Sequence, residues 1–319
     1  MSGLRVLVTA ATSSLGRAFC QELYGDQLRV DHVFAVAHEE VVPYYFRDYH
    51  PDRFTYWSAN LLKERALKDL FLAERFRRRG IDQIVHFGFL RTIKALRLSP
   101  ADATEGTRRL LEFAQAAKVD HFVYASGCLV YRLRPWTSAV IDETAELDFD
   151  PGADAWIKSR VDTDMVCRTF MDQRAPRITV LRPGPIIGRN VTSHVSDLLD
   201  SYLVTRLAGY DPMMRPIHST DVRRAIHRCL DARPHGVFNV AGPDIAPLST
   251  FCRLNGRPQM TLPGPLLRPV NRLQRLFGLS ACDLSTLPRW LMYPCVLDTT
   301  KLEEAVGHRS THHIKFGEA

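Results

Sequence analysis

Lysine is scarce in this chain. Only seven stand among 42 cationic residues, at positions 63, 68, 94, 118, 158, 301 and 315, and the other 35 are arginines. Arginine offers a planar fork to phosphate or carboxylate but does not accept a proton near neutral pH. Chemistry that needs a titrating lysine therefore has few places to occur. The seven cysteines form no CxxC pair and no clustered framework, which fits reduced thiols and predicts a cytoplasmic protein. Twelve histidines contain no HExxH. His308, His312 and His313 cluster in a polar C-terminal tail expected to be solvated, and no metal site is predicted. No stretch approaches the roughly 18 apolar residues of a membrane span, and the apolar run at 4–8 is too short for a secretory core. Zinc-finger and RNP patterns are absent, so a pI near 9.1 does not by itself indicate nucleic acid.

What is present is 319 residues, 45% of them hydrophobic. That is enough for a buried core and predicts two lobes. Short apolar runs at 4–9, 32–37, 53–58, 84–87, 121–125 and 178–181 alternate with helical spacing at 15–24, 62–79, 103–117 and 155–171. Continuous apolar strands between helices predict an α/β fold, a doubly wound parallel sheet with helices on both faces. Beyond residue 182, prolines break the pattern into short pieces, with a helix near 219–231, which Ser219 or Asp221 would cap, and a strand at 236–240. The expected division is residues 1–182 as an N-terminal α/β lobe and 183–319 as a smaller, irregular, partly interleaved C-terminal lobe.

Between the first strand and helix lies Thr9-Ala10-Ala11-Thr12-Ser13-Ser14-Leu15-Gly16. A tight turn of small residues opening a helix offers backbone N–H groups and a favourable dipole to a pyrophosphate. The segment resembles the TGxxGxxG loop of extended short-chain dehydrogenases/reductases of the NAD-dependent epimerase/dehydratase family. Thr9 and Gly16 match, while Ala10 and Ser13 replace the first two glycines. Further fragments follow in the family's order: Asn60-Leu61 for the pair beside the adenine, His86-Phe87-Gly88-Phe89 for HxAA, Glu105–Leu111 for the helix reading GTxxLL, Ile217–Val222 for VHVDDV and Val237–Val240 for its late strand.

The resemblance implies a Rossmann fold that holds NAD or NADP. The implied cofactor residues are Thr9, Ala10, Thr12, Ser13, Ser14, Leu15, Gly16, His38, Asn60, Leu61, Phe87, Gly88, Arg160 and Pro183. The acid expected at the end of the second strand falls on Ala37, with Glu39 and Glu40 as substitutes and His38 able to approach a 2′-phosphate. The preference between the two nucleotides stays open.

Enzymes of this family use a Tyr, a Lys four residues later and a Ser or Thr. No tyrosine stands four residues before any of the seven lysines. Motif alignment puts Trp156 at the Tyr position, Arg160 at the Lys position and Gly127 at the Ser/Thr position. An indole N–H donates without titrating, and an arginine stays protonated. No intact catalytic residue is therefore predicted, with Ser126 and Cys128 as the nearby donors. The resemblance then implies a nucleotide-binding sensor, scaffold or subunit. The alternative is an oxidoreductase or epimerase using altered residues on a sugar-nucleotide, carbonyl or lipid-linked substrate.

Arg182–Arg189 resembles the family's crossing into the substrate lobe, with Pro185 in place of the sugar-contacting Asn. Arg189 is a candidate contact for an anionic substrate. The segment 262–279 spaces apolar residues helically with Arg268, Arg272 and Arg275 between them. It is read first as a helix packed on its own domain, with Pro269 in its first turn, and second as a peripheral membrane or lipid contact. A small-molecule substrate is the expected partner, nucleic acid is not, and a homodimer stays open.

Overall fold

A computed structural model of the chain describes residues 3–88, 99–153, 155–173, 176–188, 191, 193–280, 282–284 and 289–314. Arg189 and Phe89 lie outside the described residues. Seven strands form the main sheet: β1 (Leu4–Thr9), β2 (Val30–Ala37), β3 (Phe54–Ser58), β4 (Gln83–His86), β5 (His121–Ala125), β6 (Arg177–Pro183) and β7 (Gly236–Val240). Their spatial order is β7-β6-β5-β4-β1-β2-β3. The pairs β1–β2, β2–β3, β1–β4, β4–β5 and β5–β6 are parallel. Val6–Val8, Val33–Val36, Ile84, Val85, Phe122 and Val123 are fully buried, as a parallel sheet covered on both faces requires. The strand at 236–240 joins this sheet beside β6.

The chain runs outward from β1 to β3 and then returns to β4 on the other side of β1. That reversal makes the carboxyl ends of β1 and β4 the switch point, where such sheets bind ligands. Thr9 pairs in register with both Val36 and His86, so the three strands end level with one another.

The labelled helices are α1 (Ser14–Gly25), α2 (Glu64–Leu72), α3 (Glu74–Arg79), α4 (Pro100–Ala116), α5 (Ala155–Met171), α6 (Ser219–Ala232) and α7 (Gly264–Leu276). Helix α4 starts on a capping box between Ser99 and Asp102. The single helix expected over 62–79 is two helices, broken where Ala73 takes an extended ψ of 133°. In an unbroken helix Phe76 would point away from buried Leu67 and Leu70. The break turns it inward, 4.5 Å from the Phe34 ring and 5.3 Å from the Trp57 ring.

The described chain divides into two compact units. One comprises 1–126, 158–181 and 226–237; the other comprises 127–157, 182–225 and 238–319. The chain passes between the units after residues 126, 157, 181, 225 and 237. In the second unit the tail is not a loose solvated segment. Asp221 accepts from the Thr311 and His312 backbone N–H groups at 3.0 and 2.9 Å and lies 2.6 Å from the His312 Nδ1. His313 pairs with Asp244 at 2.7 Å, and His308 is buried. Asp221 thus holds the tail. Helix α7 begins at Gly264, which places Pro269 in its interior rather than its first turn. Among the described residues no helix is long and apolar enough to cross a membrane.

Candidate functional site

The turn after β1 is built by backbone geometry. Ala10 has φ +50°, the left-handed region that favours glycine, and its carbonyl accepts from Ser13 N at 2.9 Å. The strain of a Cβ there is roughly 1–2 kcal/mol. Gly16 explains its own retention: a Cβ at that position would stand 2.3 Å from the Ala10 carbonyl oxygen. Ser13 caps α1 by accepting from Gly16 N at 3.1 Å. The N–H groups of Ser14 and Leu15 then stand at the helix start with no intrahelical acceptor, and both residues are only half-buried. A helix start with this dipole fits a pyrophosphate group.

The sides of the turn are fixed by side chains. Thr12 Oγ1 donates to the Glu39 carboxylate, 2.8 Å from either oxygen. Glu39 also has His38 Nδ1 at 3.4 Å, and its backbone carbonyl accepts from Tyr56 OH. Of the acids considered after β2, Glu39 is the one tied to the turn, and Glu40 is exposed. Thr9 faces the interior: its Oγ1 lies 2.7 Å from His86 Nδ1, and His86 Nε2 lies 3.0 Å from Thr107 Oγ1. Burial pushes the His86 imidazole down to about 3, so the ring is a neutral strut behind the turn. Phe87 packs edge-on against Phe19, and Gly88 turns at φ +78°. Asn60 Oδ1 accepts from Leu62 N at 3.1 Å, bending the chain toward α2 above buried Leu61.

The relay positions look different. At the end of β5 the Ser126 hydroxyl donates to the buried Asp164 carboxylate at 3.0 Å, and Arg160 donates to the Ser126 carbonyl at 3.0 Å. Tyr124, the nearby tyrosine of β5, is enclosed, and burial pushes its hydroxyl up out of any useful range. Ser126 and Arg160 are therefore bound to each other's surroundings within one unit. In the other unit Gly127 is extended, Trp156 is half-buried on the first turn of α5, and Cys128 is buried. The Cys128 thiol is hydrogen-bonded to buried Cys295.

Arg182 and Pro183 are also buried. Arg182 donates to Tyr131 OH at 3.1 Å, and Tyr131 donates to Asn239 Oδ1 at 2.6 Å. Asn239 in turn donates from its backbone N to Glu143 at 2.7 Å. Burial pushes the Tyr131 hydroxyl up to about 12, and its bonds to Arg182 and Asn239 hold it as a strut.

The sequence reading missed Asp164 and the Tyr131–Arg182–Asn239 network. Asp164 was legible in one respect: it stands three residues from Val161 and three from Cys167, both on the buried side of α5. An acid at an inward position needs a hydrogen-bonding partner, and Ser126 supplies one.

A switch-point turn that ends in a capped helix start defines the chain's class as a dinucleotide-binding fold of the extended reductase type. The chain belongs to the NAD dependent epimerase/dehydratase family, whose sequence model matches residues 6–241. The uncharacterised protein Rv0501 of Mycobacterium tuberculosis is 25% identical over 257 residues, 76% of this chain and 65% of that protein. The chain thus spans about two thirds of the length of the curated relatives it matches. In three dimensions it is similar to the UDP-glucuronic acid 4-epimerase of Bacillus cereus in complex with UDP-glucuronic acid and NAD. That match has TM-score 0.70 and 17% identity, covering 97% of this chain and 95% of the other. It is likewise similar to DesIV, a dTDP-glucose 4,6-dehydratase from Streptomyces venezuelae with NAD and TYD bound. Here the TM-score is 0.69 at 19% identity, with 97% and 93% coverage.

Proposed function

We propose that the chain binds NAD at the β1–α1 turn and serves as a nucleotide-responsive sensor, scaffold or subunit rather than as a standard redox enzyme of its family. The observation that carries this reading is the turn itself, with Ala10 left-handed, Gly16 against its carbonyl, and the Ser14 and Leu15 N–H groups at the helix start. When bound, the nicotinamide supplies hydride transfer. The chain's own residues bind and orient: the helix start holds the pyrophosphate, and Asn60 and Leu61 border the adenine. Glu39 takes the adenosine ribose hydroxyls, and its charge disfavours a 2′-phosphate, so NAD is preferred over NADP. No residue in this reading moves a proton, because an indole and a guanidinium replace the family's phenol and amine and Gly127 has no hydroxyl.

The second reading, turnover by altered residues on a small sugar-nucleotide or carbonyl substrate, is favoured by the Ser126–Asp164 pair, a hydroxyl held on a carboxylate. General acid–base help is worth about 10²–10⁴-fold, and Asp164 would have to supply it through Ser126. All seven cysteines are buried and none is in a disulfide, which supports a cytoplasmic location.

Fluorescence titration with NADH and NADPH separates the readings. The proposal expects saturable binding, tighter for NADH, and neither a rise of the nicotinamide band nor conversion of the sugar-nucleotide when UDP-glucuronic acid or dTDP-glucose is added to the chain with NAD. Turnover abolished by Ser126→Ala would establish the second reading, and absence of binding to either nucleotide would remove both.

A further inference from the structure

Helix α7 presents its apolar side to solvent. Its inward residues are Leu267, Asn271 and Gln274, all buried, and two of these three are amides. Asn271 donates to the Cys282 carbonyl at 3.1 Å and accepts from Leu284 N at 2.9 Å. Gln274 accepts from Thr205 Oγ1 at 2.7 Å. These bonds fix the rotation of the helix about its axis. At about 100° per residue, Leu266, Pro269, Leu273, Leu276 and Phe277 then share one outward sector. Leu266 is 50% exposed, Leu273 54%, Leu276 78% and Phe277 68%. Arg268, Arg272 and Arg275 fill the sector beside it and are exposed.

We propose that α7 seats the chain on an anionic phospholipid surface. The stretch 251–282 contains five arginines and no Asp or Glu, so the charge carried by the helix and its flanks has one sign. Arg275 is paired with Asp283 at 2.5 Å; Arg268 and Arg272 supply the remaining charge. An apolar stripe beside a basic row is the arrangement of helices that lie in a membrane interface, with the apolar side toward the acyl chains and the cations among the headgroups. Tyr202 extends the patch. Its turn is tied to the segment following α7 by Leu203 N donating to the Leu279 carbonyl and by Ser201 beside Ser280, each at 3.2 Å, and Tyr202 is itself exposed. A second copy of the chain is the poorer occupant, because a two-fold contact over this stripe would set one arginine row against the other.

The test is cosedimentation of the full chain with vesicles of phosphatidylcholine containing phosphatidylglycerol, against vesicles of phosphatidylcholine alone. The expected result is binding to the anionic vesicles that weakens with added salt. L273D/F277D, which alters only exposed positions, is expected to lower partitioning at least about 100-fold, and R268Q/R272Q about 30-fold, with melting temperatures unchanged. F277W gives a second reading, a blue shift of its emission on anionic vesicles. The proposal is overturned if the native chain stays in the supernatant, if both double variants bind as the native chain does, or if F277W shows no shift. It is equally overturned if L273D/F277D instead abolishes a dimer seen by light scattering and vesicles are not bound.

Discussion

The turn after β1 and the positions read as the relay around β5 and α5 both differ in sequence from the pattern they resemble, and in the proposed reading the two differences have opposite consequences. At the turn two glycines are replaced, yet the backbone keeps its path: Ala10 accepts φ +50° and Gly16 keeps the one place where a Cβ cannot fit. At the positions read as the relay, Trp156, Arg160 and Gly127 stand where the resemblance expects Tyr, Lys and Ser or Thr, and Ser126 and Arg160 are engaged with Asp164 and with the Ser126 carbonyl. Backbone N–H groups belong to every residue except proline, so a site built from them survives side-chain change. Proton transfer depends on particular titrating groups and does not. In the proposed reading, binding and chemistry part company within one fold.

Four changes break or sharpen that contrast. The largest effect is expected from Gly16→Val, whose side chain drives the Ala10 carbonyl away. It should cost about 3 kcal/mol or more in denaturant unfolding and lower NADH affinity at least about 100-fold in the fluorescence titration.

Acid comes next, because it strikes the support of the turn. His86, bridging Thr9 and Thr107, and His121, beside Gln83 and Thr179, are both held neutral by burial, each down to about 3. Their folded values lie below the ordinary value near 6.5, so the unfolded chain takes up the protons first. Stability is full above about pH 6.5 and is lost as pH falls toward the folded values, by about 2 kcal/mol per histidine at pH 5. Denaturant melts at pH 7 and pH 5 measure this, and a flat response across that window would mean the rings are not buried neutral.

Ser126→Ala is expected to cost about 1–3 kcal/mol, because Asp164 is left buried with one donor fewer. NADH affinity should not change, which marks Ser126 as part of the scaffold. The smallest effect is a gain: Ala10→Gly relieves the left-handed strain and should raise stability by about 1 kcal/mol, read as an increase in melting temperature.

The sheet was legible because parallel buried strands write themselves as continuous apolar runs, and β1, β3 and β5 fall within a residue of their expected ends. Helix α5 was legible to its first and last residues. The break at Ala73 was not, since it is set by where Phe76 finds Phe34 and Trp57, a contact that periodicity along one segment does not encode. The phosphate turn was legible as a string of small residues, whereas the reason Gly16 remains became visible only with the Ala10 carbonyl 2.3 Å from its missing Cβ. The tail histidines read as solvated because their acceptors, Asp221 and Asp244, lie about 70 to 90 residues away along the chain. The facing of α7 was hidden for a related reason. Amphipathic spacing identifies two faces, and only the hydrogen bonds of Asn271 and Gln274 decide which one turns inward.

The most direct test of backbone-held binding without a relay is calorimetric titration of the full chain with NAD, followed in the same sample by the reduced-nicotinamide absorbance after UDP-glucuronic acid or dTDP-glucose is added. The account predicts saturable binding at one site, sharply weakened by Gly16→Val, with no reduced nicotinamide and no epimerised or dehydrated sugar-nucleotide. Reduced nicotinamide accumulating above the rate of a protein-free control, or no heat of binding at all, would contradict it.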